Sequence, residues 1–79
     1  MQQAMTKEEK QSMQQIRRSI GANLQSLRRA RGYAQEEYAA KLGISPWRLA
    51  QYEHAKRLPD FSMLIRMTHL LKVELRELL

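Results

Sequence analysis

Three side chains in the middle of the chain, Trp47, Arg48 and Gln51, are of types that recognise polar or planar groups on another molecule. In a helix, where successive residues are about 100° apart, Trp47, Gln51 and His54 project to one side, with Arg48 at its flank. Arginine and glutamine hydrogen-bond the edges of nucleic-acid bases, and apolar carbons can contact a thymine methyl group. The spacing therefore predicts a helical surface suited to reading base edges.

The opposite side of this segment predicts how the surface is held. Leu49, Tyr52 and Glu53 project away from the first set and are mostly apolar. They can pack on a preceding short helix through Tyr38, Ala39 and Leu42. Gly43, between the two segments, is free to adopt the left-handed backbone of a tight turn. The sequence thus predicts two short helices in which the second keeps one face free.

Basic residues cluster around these two helices. The chain has a formal net charge of +6 and a pI near 10.2. Between residues 28 and 57 seven basic residues face three acidic ones. The basic residues are Arg28, Arg29, Arg31, Lys41, Arg48, Lys56 and Arg57, and the acidic ones are Glu36, Glu37 and Glu53. A local positive excess favours a polyanionic partner such as double-stranded DNA.

Catalytic chemistry has little support in the sequence. The chain has no cysteine, and His54 and His69 are separated by fifteen positions without a third ligand at zinc-site spacing. Glu36 and Glu37 are adjacent, so their carboxylates diverge around a helix. We therefore predict a protein that is not an enzyme and that has no metal, cofactor or small-molecule substrate.

Length and hydropathy limit the possible class of protein. A chain of 79 residues suits one small domain. Its apolar runs are far shorter than the roughly 20 residues of a membrane span. The N-terminal stretch MQQAMTKEEK lacks the apolar segment of a secretory signal. These features predict a cytoplasmic protein with no membrane partner.

The first predicted helix is long. It covers residues 7–31, because Thr6 and Glu9 form a capping-box pattern at its start and Gly32 ends it. Gly21 within it predicts either a break or a close packing contact. An apolar stripe recurs every three or four residues and predicts a core or dimer contact: Met13, Ile16, Ile20, Leu24 and Leu27.

Four shorter helices are predicted after it. The second covers residues 35–42 behind the weak N-cap Ala34, and the third has Ser45 as N-cap and Pro46 at its first position. Asp60 caps the fourth, and a short fifth helix ends the chain. One face of the fourth is predicted to comprise Phe61, Leu64, Ile65, Thr68 and Leu71. The sequence does not decide whether Leu75, Leu78 and Leu79 close the core or form a dimer surface.

The predicted fold class is an all-α, compact five-helix bundle, with the first helix extended at its N-terminus. We divide it into a polar, partly helical extension, residues 1–15, and a DNA-binding domain, residues 16–79.

One set of residues between Ile20 and Pro59 has the residue types and spacing of a known family of domains. It comprises Ile20-Gly21, Leu24, Leu27-Arg28, Gln35-Glu36-Glu37-Tyr38-Ala39, Leu42-Gly43-Ile44-Ser45, Leu49, Tyr52-Glu53, Lys56-Arg57 and Pro59. With these residues, positions 20–79 resemble the helix-turn-helix domain of the lambda-type phage repressors and Cro proteins, the XRE-type family. The resemblance implies a sequence-specific DNA-binding transcriptional regulator. It further implies a repressor that binds a two-fold symmetric operator as a homodimer.

The resemblance also implies roles for individual residues. The predicted base-reading residues, which face bases or nearby backbone, are Ser45, Pro46, Trp47, Arg48 and Gln51. The predicted phosphate-binding residues are Gln35, Lys56 and Arg57. Arg28 and Glu53 match a pair that forms an ion pair between the first and third helices.

Some positions depart from the family pattern. Ala55 and Lys72 stand where the family often places glycine after a helix. A left-handed backbone there would cost roughly 1–2 kcal/mol, so we expect these helix ends to run on. Glu74 replaces the usual serine or threonine cap of the last helix.

Two other functions fit the same sequence. Small proteins of this family also serve as antitoxins, which bind DNA and a toxin, and residues 1–15 would then be a partner-binding arm. A protein-interaction module without DNA binding would use Trp47 as its anchor, since aromatic residues are favoured at protein interfaces.

Overall fold

Five α-helices form the fold: α1 (Lys7–Ala30), α2 (Gln35–Leu42), α3 (Pro46–Glu53), α4 (Phe61–Leu71) and α5 (Leu75–Leu78). The structure is a computed structural model that describes residues 4–79, and this range contains no strand. α1 packs against α3 and α5, α2 against α3 and α4, and α4 against α5. The predicted all-α, five-helix architecture is confirmed, and the bounds predicted for α1 and α2 agree to within about a residue.

The first helix begins and ends as its capping residues predict. The Glu9 amide donates to Thr6 Oγ1 at 3.1 Å, and the Thr6 amide donates to Glu9 Oε1 at 2.7 Å. Gly32, with φ of 79°, turns the chain after the helix. α1 is continuous from Lys7 to Ala30, so the proposed boundary between residues 15 and 16 lies within one helix. The first three residues of the proposed extension lie outside the described residues.

Only the C-terminal half of α1 contributes to the core. Its buried apolar residues start at Ile20, while Ile16 is exposed and Met13 is half-buried. The predicted stripe is therefore split between core and surface. We call residues 7–19 the α1 overhang. It lengthens the molecule, whose principal dimensions are 42, 23 and 19 Å.

Gly21 is the point of closest approach between α1 and α3. A β-carbon built at Gly21 would lie 2.6 Å from the carbonyl oxygens of both Tyr52 and Glu53. Since α1 is unbroken here, close packing is the outcome of the two that the sequence left open. Glycine at this position lets the backbones of the two helices come together.

We expected the preceding helices to continue through Ala55 and Lys72, and this expectation is wrong. Both residues adopt the left-handed conformation, with φ of 60° and 58°. The chain reverses at each place because the next amide bonds back to the helix it has left: Lys56 to Gln51 O at 2.8 Å and Val73 to Thr68 O at 3.1 Å. Such a backbone costs non-glycine residues roughly 1–2 kcal/mol, which the packing of the following segments offsets.

The core lies between all five helices, and the predicted face of α4 is partly wrong. Leu64, Thr68 and Leu71 are buried, but Phe61 and Ile65 point to solvent. Met67 is fully buried and was not predicted. The buried apolar residues are Ile20, Leu24, Tyr38, Ala39, Leu42, Leu49, Tyr52, Leu64, Met67, Leu71 and Leu78.

The fifth helix closes the bundle. Leu78 is fully buried, Leu75 is half-buried and Leu79 is exposed. Leu78 therefore serves core closure. Although Glu74 is not the usual cap, it forms a capping box with Glu77, whose Oε2 accepts from the Glu74 amide at 2.7 Å. Within residues 4–79 no helix combines the length and the apolar character needed to span a membrane.

Candidate nucleic-acid interface

The connection between α2 and α3 is a tight turn fixed by local hydrogen bonds. Gly43 has φ of 76°. The Ile44 amide then donates to Ala39 O at 3.0 Å, which satisfies a carbonyl at the end of α2. Ser45 caps α3, its Oγ accepting from the Arg48 amide at 3.0 Å, and Pro46 occupies the first helical turn. Local sequence therefore sets where α3 starts.

The two sides of α3 differ in the way that the sequence predicts. Leu49 and Tyr52 are buried against the α2 residues Tyr38, Ala39 and Leu42. Trp47, on the other side, has 68% of its surface exposed. Burial of the inner side fixes α3 to the bundle, and the side that carries Trp47 is free for a partner.

Arg48 and Gln51 lie on α3 with polar atoms that have no partner. Arg48 Nε and Gln51 Oε1 are covered by protein, yet no group among residues 4–79 hydrogen-bonds to either atom. A buried donor or acceptor without a partner costs about 1–3 kcal/mol. Rotation of these side chains toward an acceptor or donor on another molecule would therefore gain a hydrogen bond without breaking one at these atoms.

Glu53, at the end of α3, accepts hydrogen bonds from side chains of α1 and α2. Arg28 of α1 donates to it twice, from Nε to Oε2 at 2.6 Å and from Nη2 to Oε1 at 3.1 Å. The side-chain amide nitrogen Nε2 of Gln35, on α2, donates to Oε1 at 3.1 Å. Arg28 Nη1 donates to Tyr33 O at 2.7 Å, and the Arg28 and Glu53 side chains are 6% and 0% exposed. This buried cluster fixes the position of α3 relative to α1 and α2.

Gln35 is thus held within the protein. It is half-buried at the first position of α2, and one of its amide hydrogens binds Glu53. Its N-cap neighbour Ala34 provides no side-chain hydrogen bond. A side-chain amide nitrogen carries two hydrogens, so Gln35 Nε2 retains one donor that Glu53 does not use. The link between Gln35 and Glu53 was not predicted from the sequence, where no spacing signals it.

Lys56 and Arg57 lie on the loop that folds back over the end of α3. Both amides donate to Gln51 O, at 2.8 and 3.3 Å. The two side chains are exposed. The loop therefore places two cations beside the C-terminal end of the free face of α3.

Two of the basic residues counted in the sequence, buried Arg28 and exposed Arg31, hydrogen-bond within the protein. Arg28 belongs to the Glu53 cluster, and Arg31 Nε donates to Leu71 O at 2.8 Å at the end of α4. Arg66 acts likewise, with Nη1 donating to Leu42 O at 3.0 Å at the end of α2. Cations at helix C-termini satisfy free carbonyls and oppose the helix dipole. Fewer cations around α3 are therefore available to a partner than the seven counted in the sequence.

The described residues offer no metal site. Among residues 4–79 no three histidine, cysteine or carboxylate side chains come together to ligate an ion. The phenol of Tyr38, on α2, is fully buried. Burial, and secondarily the neighbouring Tyr33, raises the pKa of Tyr38, whose hydroxyl donates to Met67 O at 3.0 Å. Tyr38 thus joins α2 to α4 as a neutral donor.

Such a bundle, in which a short helix is braced by its predecessor and keeps one face free, defines the helix-turn-helix class of DNA-binding domain. A family model described as helix-turn-helix matches residues 24–78. The HTH-type transcriptional regulator ImmR of Bacillus subtilis (strain 168) is 38% identical over 55 residues. This match covers 70% of the present chain and 43% of ImmR, so the chain spans less than half of that relative.

Two solved structures have the same fold. The restriction-modification controller protein C.AhdI from Aeromonas hydrophila superposes with a TM-score of 0.77 at 26% identity, covering 84% of this chain and 96% of C.AhdI. The clp gene regulator ClgR from C. glutamicum gives a TM-score of 0.75 at 25% identity, covering 80% of this chain and 82% of ClgR. The chain belongs to the helix-turn-helix family.

Proposed function

We propose that this protein is a repressor that binds a two-fold symmetric operator as a homodimer. The α3 helices of two copies enter successive major grooves, about 34–36 Å apart. Covering promoter DNA in this way blocks polymerase. The observation that carries the proposal is the asymmetry of α3, with Leu49 and Tyr52 buried and Trp47 exposed beside the unpaired polar atoms of Arg48 and Gln51.

Base reading is assigned to the start and free face of α3. Gln51 Oε1 is buried without a partner, and rotation of the side chain would present this acceptor and the amide donor together, the pair of groups that an adenine edge matches. Arg48 is suited to a guanine or a nearby phosphate, and Trp47 offers an apolar surface to a thymine methyl group. Ser45 and Pro46 lie at the N-terminal end of α3, where the backbone comes nearest to the groove.

Phosphate binding is assigned to Gln35, Lys56 and Arg57, which flank α3. Lys56 and Arg57 are exposed, and Gln35 retains one amide hydrogen. Phosphate contacts position the protein, release counterions and make affinity fall with salt, but they do not discriminate sequence directly. The two sets of residues therefore predict two different mutant phenotypes.

Substitution of Gln51 by alanine is expected to reduce sequence discrimination. The preference for operator over random DNA should fall by about 1–3 kcal/mol, because a bidentate base contact is lost. Competition binding with both DNAs at one salt concentration measures the change. Gln11→Ala, at an exposed position of α1, is the matched control and should behave as the parent. Unchanged discrimination in Gln51→Ala would exclude Gln51 as a base reader.

Substitution of Lys56 by alanine is expected to weaken binding to all DNA sequences alike. The slope of log affinity against log salt should become shallower by about one unit, because about one phosphate contact is lost. A salt titration on operator and random DNA measures it, with Lys10→Ala of the α1 overhang as control. A loss confined to the operator would instead place Lys56 among the base readers.

Selection of bound sequences from a random DNA pool tests the whole proposal. We expect a palindromic motif whose half-sites are separated by one helical turn. Enrichment of a single unpaired half-site would contradict the homodimer, and no enrichment at all would contradict sequence-specific binding. Regulation by repression is tested separately, by transcription from a promoter that contains the selected motif.

A second candidate function is supported by Trp47 alone. An indole that is 68% exposed would also suit a protein-interaction module, whose contact would be hydrophobic. The salt titration distinguishes the two functions, because electrostatic DNA binding weakens steeply with salt and a hydrophobic contact does not. A DNA-binding antitoxin would show both the palindromic motif and a tight protein partner.

A further inference from the structure

His54 is a titratable side chain on the free face of α3, and it belongs to neither the base-reading nor the phosphate-binding set. It follows the last residue of α3, and its amide still bonds to Ala50 O at 2.9 Å, as in the helix itself. His54 is seven residues after Trp47, so the two side chains project within about 20° of each other. His54 is also exposed. Its imidazole therefore lies on the side of α3 that carries Trp47.

The position of His54 along α3 corresponds to the border of a major groove. In helix-turn-helix domains the residues at the start of the recognition helix contact base edges. At 1.5 Å per residue, His54 lies about 10 Å further along the helix axis than Trp47, a distance close to the roughly 12 Å width of the groove. With Trp47 at the bases, His54 comes to the phosphates that border the groove.

Two exposed cations follow His54 in the chain. Lys56 and Arg57 lie on the loop beside the C-terminal end of the free face, where both of their amides donate to Gln51 O. When these two side chains bind phosphates, as proposed above, the imidazole of His54 lies beside the same stretch of DNA backbone. Its environment in the complex is then strongly anionic.

Other charged groups near the end of α3 come from α1, α2 and the following loop. α1 meets this end at Gly21, and α2 meets it at Gln35. The charged residues next to these contacts and on the loop are Arg17, Arg18, Glu36, Glu37, Lys56 and Arg57. Glu53 is buried in its pair with Arg28. Lysine, arginine and carboxylate side chains keep their charge between pH 6 and 8, whereas histidine changes its charge in this range. His54 is therefore the group here whose charge depends on pH.

We propose that His54 is a further phosphate ligand, which binds DNA as the protonated imidazolium, so that each protomer takes up a proton on binding. Protonation gives the imidazole a second N–H donor and a positive charge, and a phosphate oxygen favours both. The DNA-bound state then holds more protons than the free protein, so affinity is greater at low pH and falls as pH rises. The inference rests on the proposed DNA binding and adds proton linkage to it.

The affinity for a short duplex of random sequence, measured at pH 6 and pH 8 at one ionic strength, tests this contact. Such a duplex is sufficient because phosphate contacts do not read sequence. The parent should bind roughly two- to sixfold more tightly per protomer at pH 6. His54→Gln should lose this difference. His54→Lys, which stays charged throughout the range, should bind equally well at both pH values.

The second histidine of the chain provides the matched control. His69 is exposed in the last turn of α4, which packs against α2 and α5. His69→Gln should therefore keep the pH dependence of the parent. Loss of this dependence in His69→Gln instead of His54→Gln would overturn the assignment to His54.

Proton uptake distinguishes a DNA contact from a structural role of the same residue. A protonated His54 that only opposed the dipole of α3 would change the melting temperature of the free protein, without proton uptake on binding. Calorimetric titration of the duplex at pH 7, in two buffers that differ in ionisation enthalpy, counts the protons that binding takes up. We expect an uptake by the parent that His54→Gln lacks. Equal uptake by both proteins, or a parent whose affinity does not depend on pH, would overturn this inference and leave DNA binding intact. No binding to any DNA at either pH would overturn the proposed function itself.

Discussion

The variant Glu53→Ala is expected to be largely unfolded at room temperature. Glu53 accepts two hydrogen bonds from Arg28 and one from Gln35, and its side chain is fully buried. Its removal leaves the Arg28 guanidinium buried with only the Tyr33 carbonyl as partner. Loss of one member of a buried ion pair costs about 3–5 kcal/mol. A single core in a domain of this size rarely supplies more than about 3–5 kcal/mol in total.

Urea denaturation followed by circular dichroism measures this loss. Glu37→Ala, on the exposed surface of α2, is the control and should change the free energy of unfolding by less than about 0.5 kcal/mol. The double variant Arg28→Met/Glu53→Leu should be more stable than Glu53→Ala, because apolar residues of similar volume replace buried ion pairs at little cost. A Glu53→Ala protein within about 1 kcal/mol of the parent would show that the pair is not needed to hold α3.

Gly21→Ala is expected to destabilise the protein by about 2–3 kcal/mol, although alanine is the better helix former. The new methyl group would lie 2.6 Å from the carbonyl oxygens of Tyr52 and Glu53. These are backbone atoms of α3, so the contact is relieved only if α3 shifts as a whole. Such a shift would also displace the free face of α3, and operator affinity should fall with stability.

The sign of the effect distinguishes packing from helix propensity. Propensity alone would make Gly21→Ala about 1 kcal/mol more stable than the parent. Ala22→Gly, at the next and exposed position of the same helix, provides the control and should cost about 1 kcal/mol through propensity. Thermal melts of the three proteins give the comparison. A Gly21→Ala protein more stable than the parent would show that α1 and α3 can separate without loss.

Much of the fold follows from local sequence signals. The caps at Thr6, Ser45 and Asp60 and the glycines at positions 32 and 43 predict the observed helix ends. These signals are reliable because a cap satisfies backbone groups of its own helix, without help from distant residues. The division of α3 into a buried and a free side was predictable for the same reason, from the helical period alone.

Other features of the fold depend on contacts between residues that are far apart in the sequence. Ala55 and Lys72 adopt the left-handed conformation although neither residue type favours it, and the amide that follows each one bonds back to the preceding helix. Phe61 and Ile65 have the types and spacing of core residues, yet no helix covers them, whereas Met67 is buried. The Gln35 bond to Glu53 joins residues 18 positions apart. The roles of the assigned residues in DNA binding remain predictions of the resemblance and of the site geometry.

The sequence by itself determined five helices, a tight turn before Ser45 and a polar, cationic side on α3, because each of these depends on neighbours within one or two helical turns. Only the tertiary structure decided which cations are free, where α1 meets α3 at Gly21, and that the first half of α1 stands beyond the core. These features arise from contacts between residues far apart in the chain. Such contacts exist only once the helices have packed.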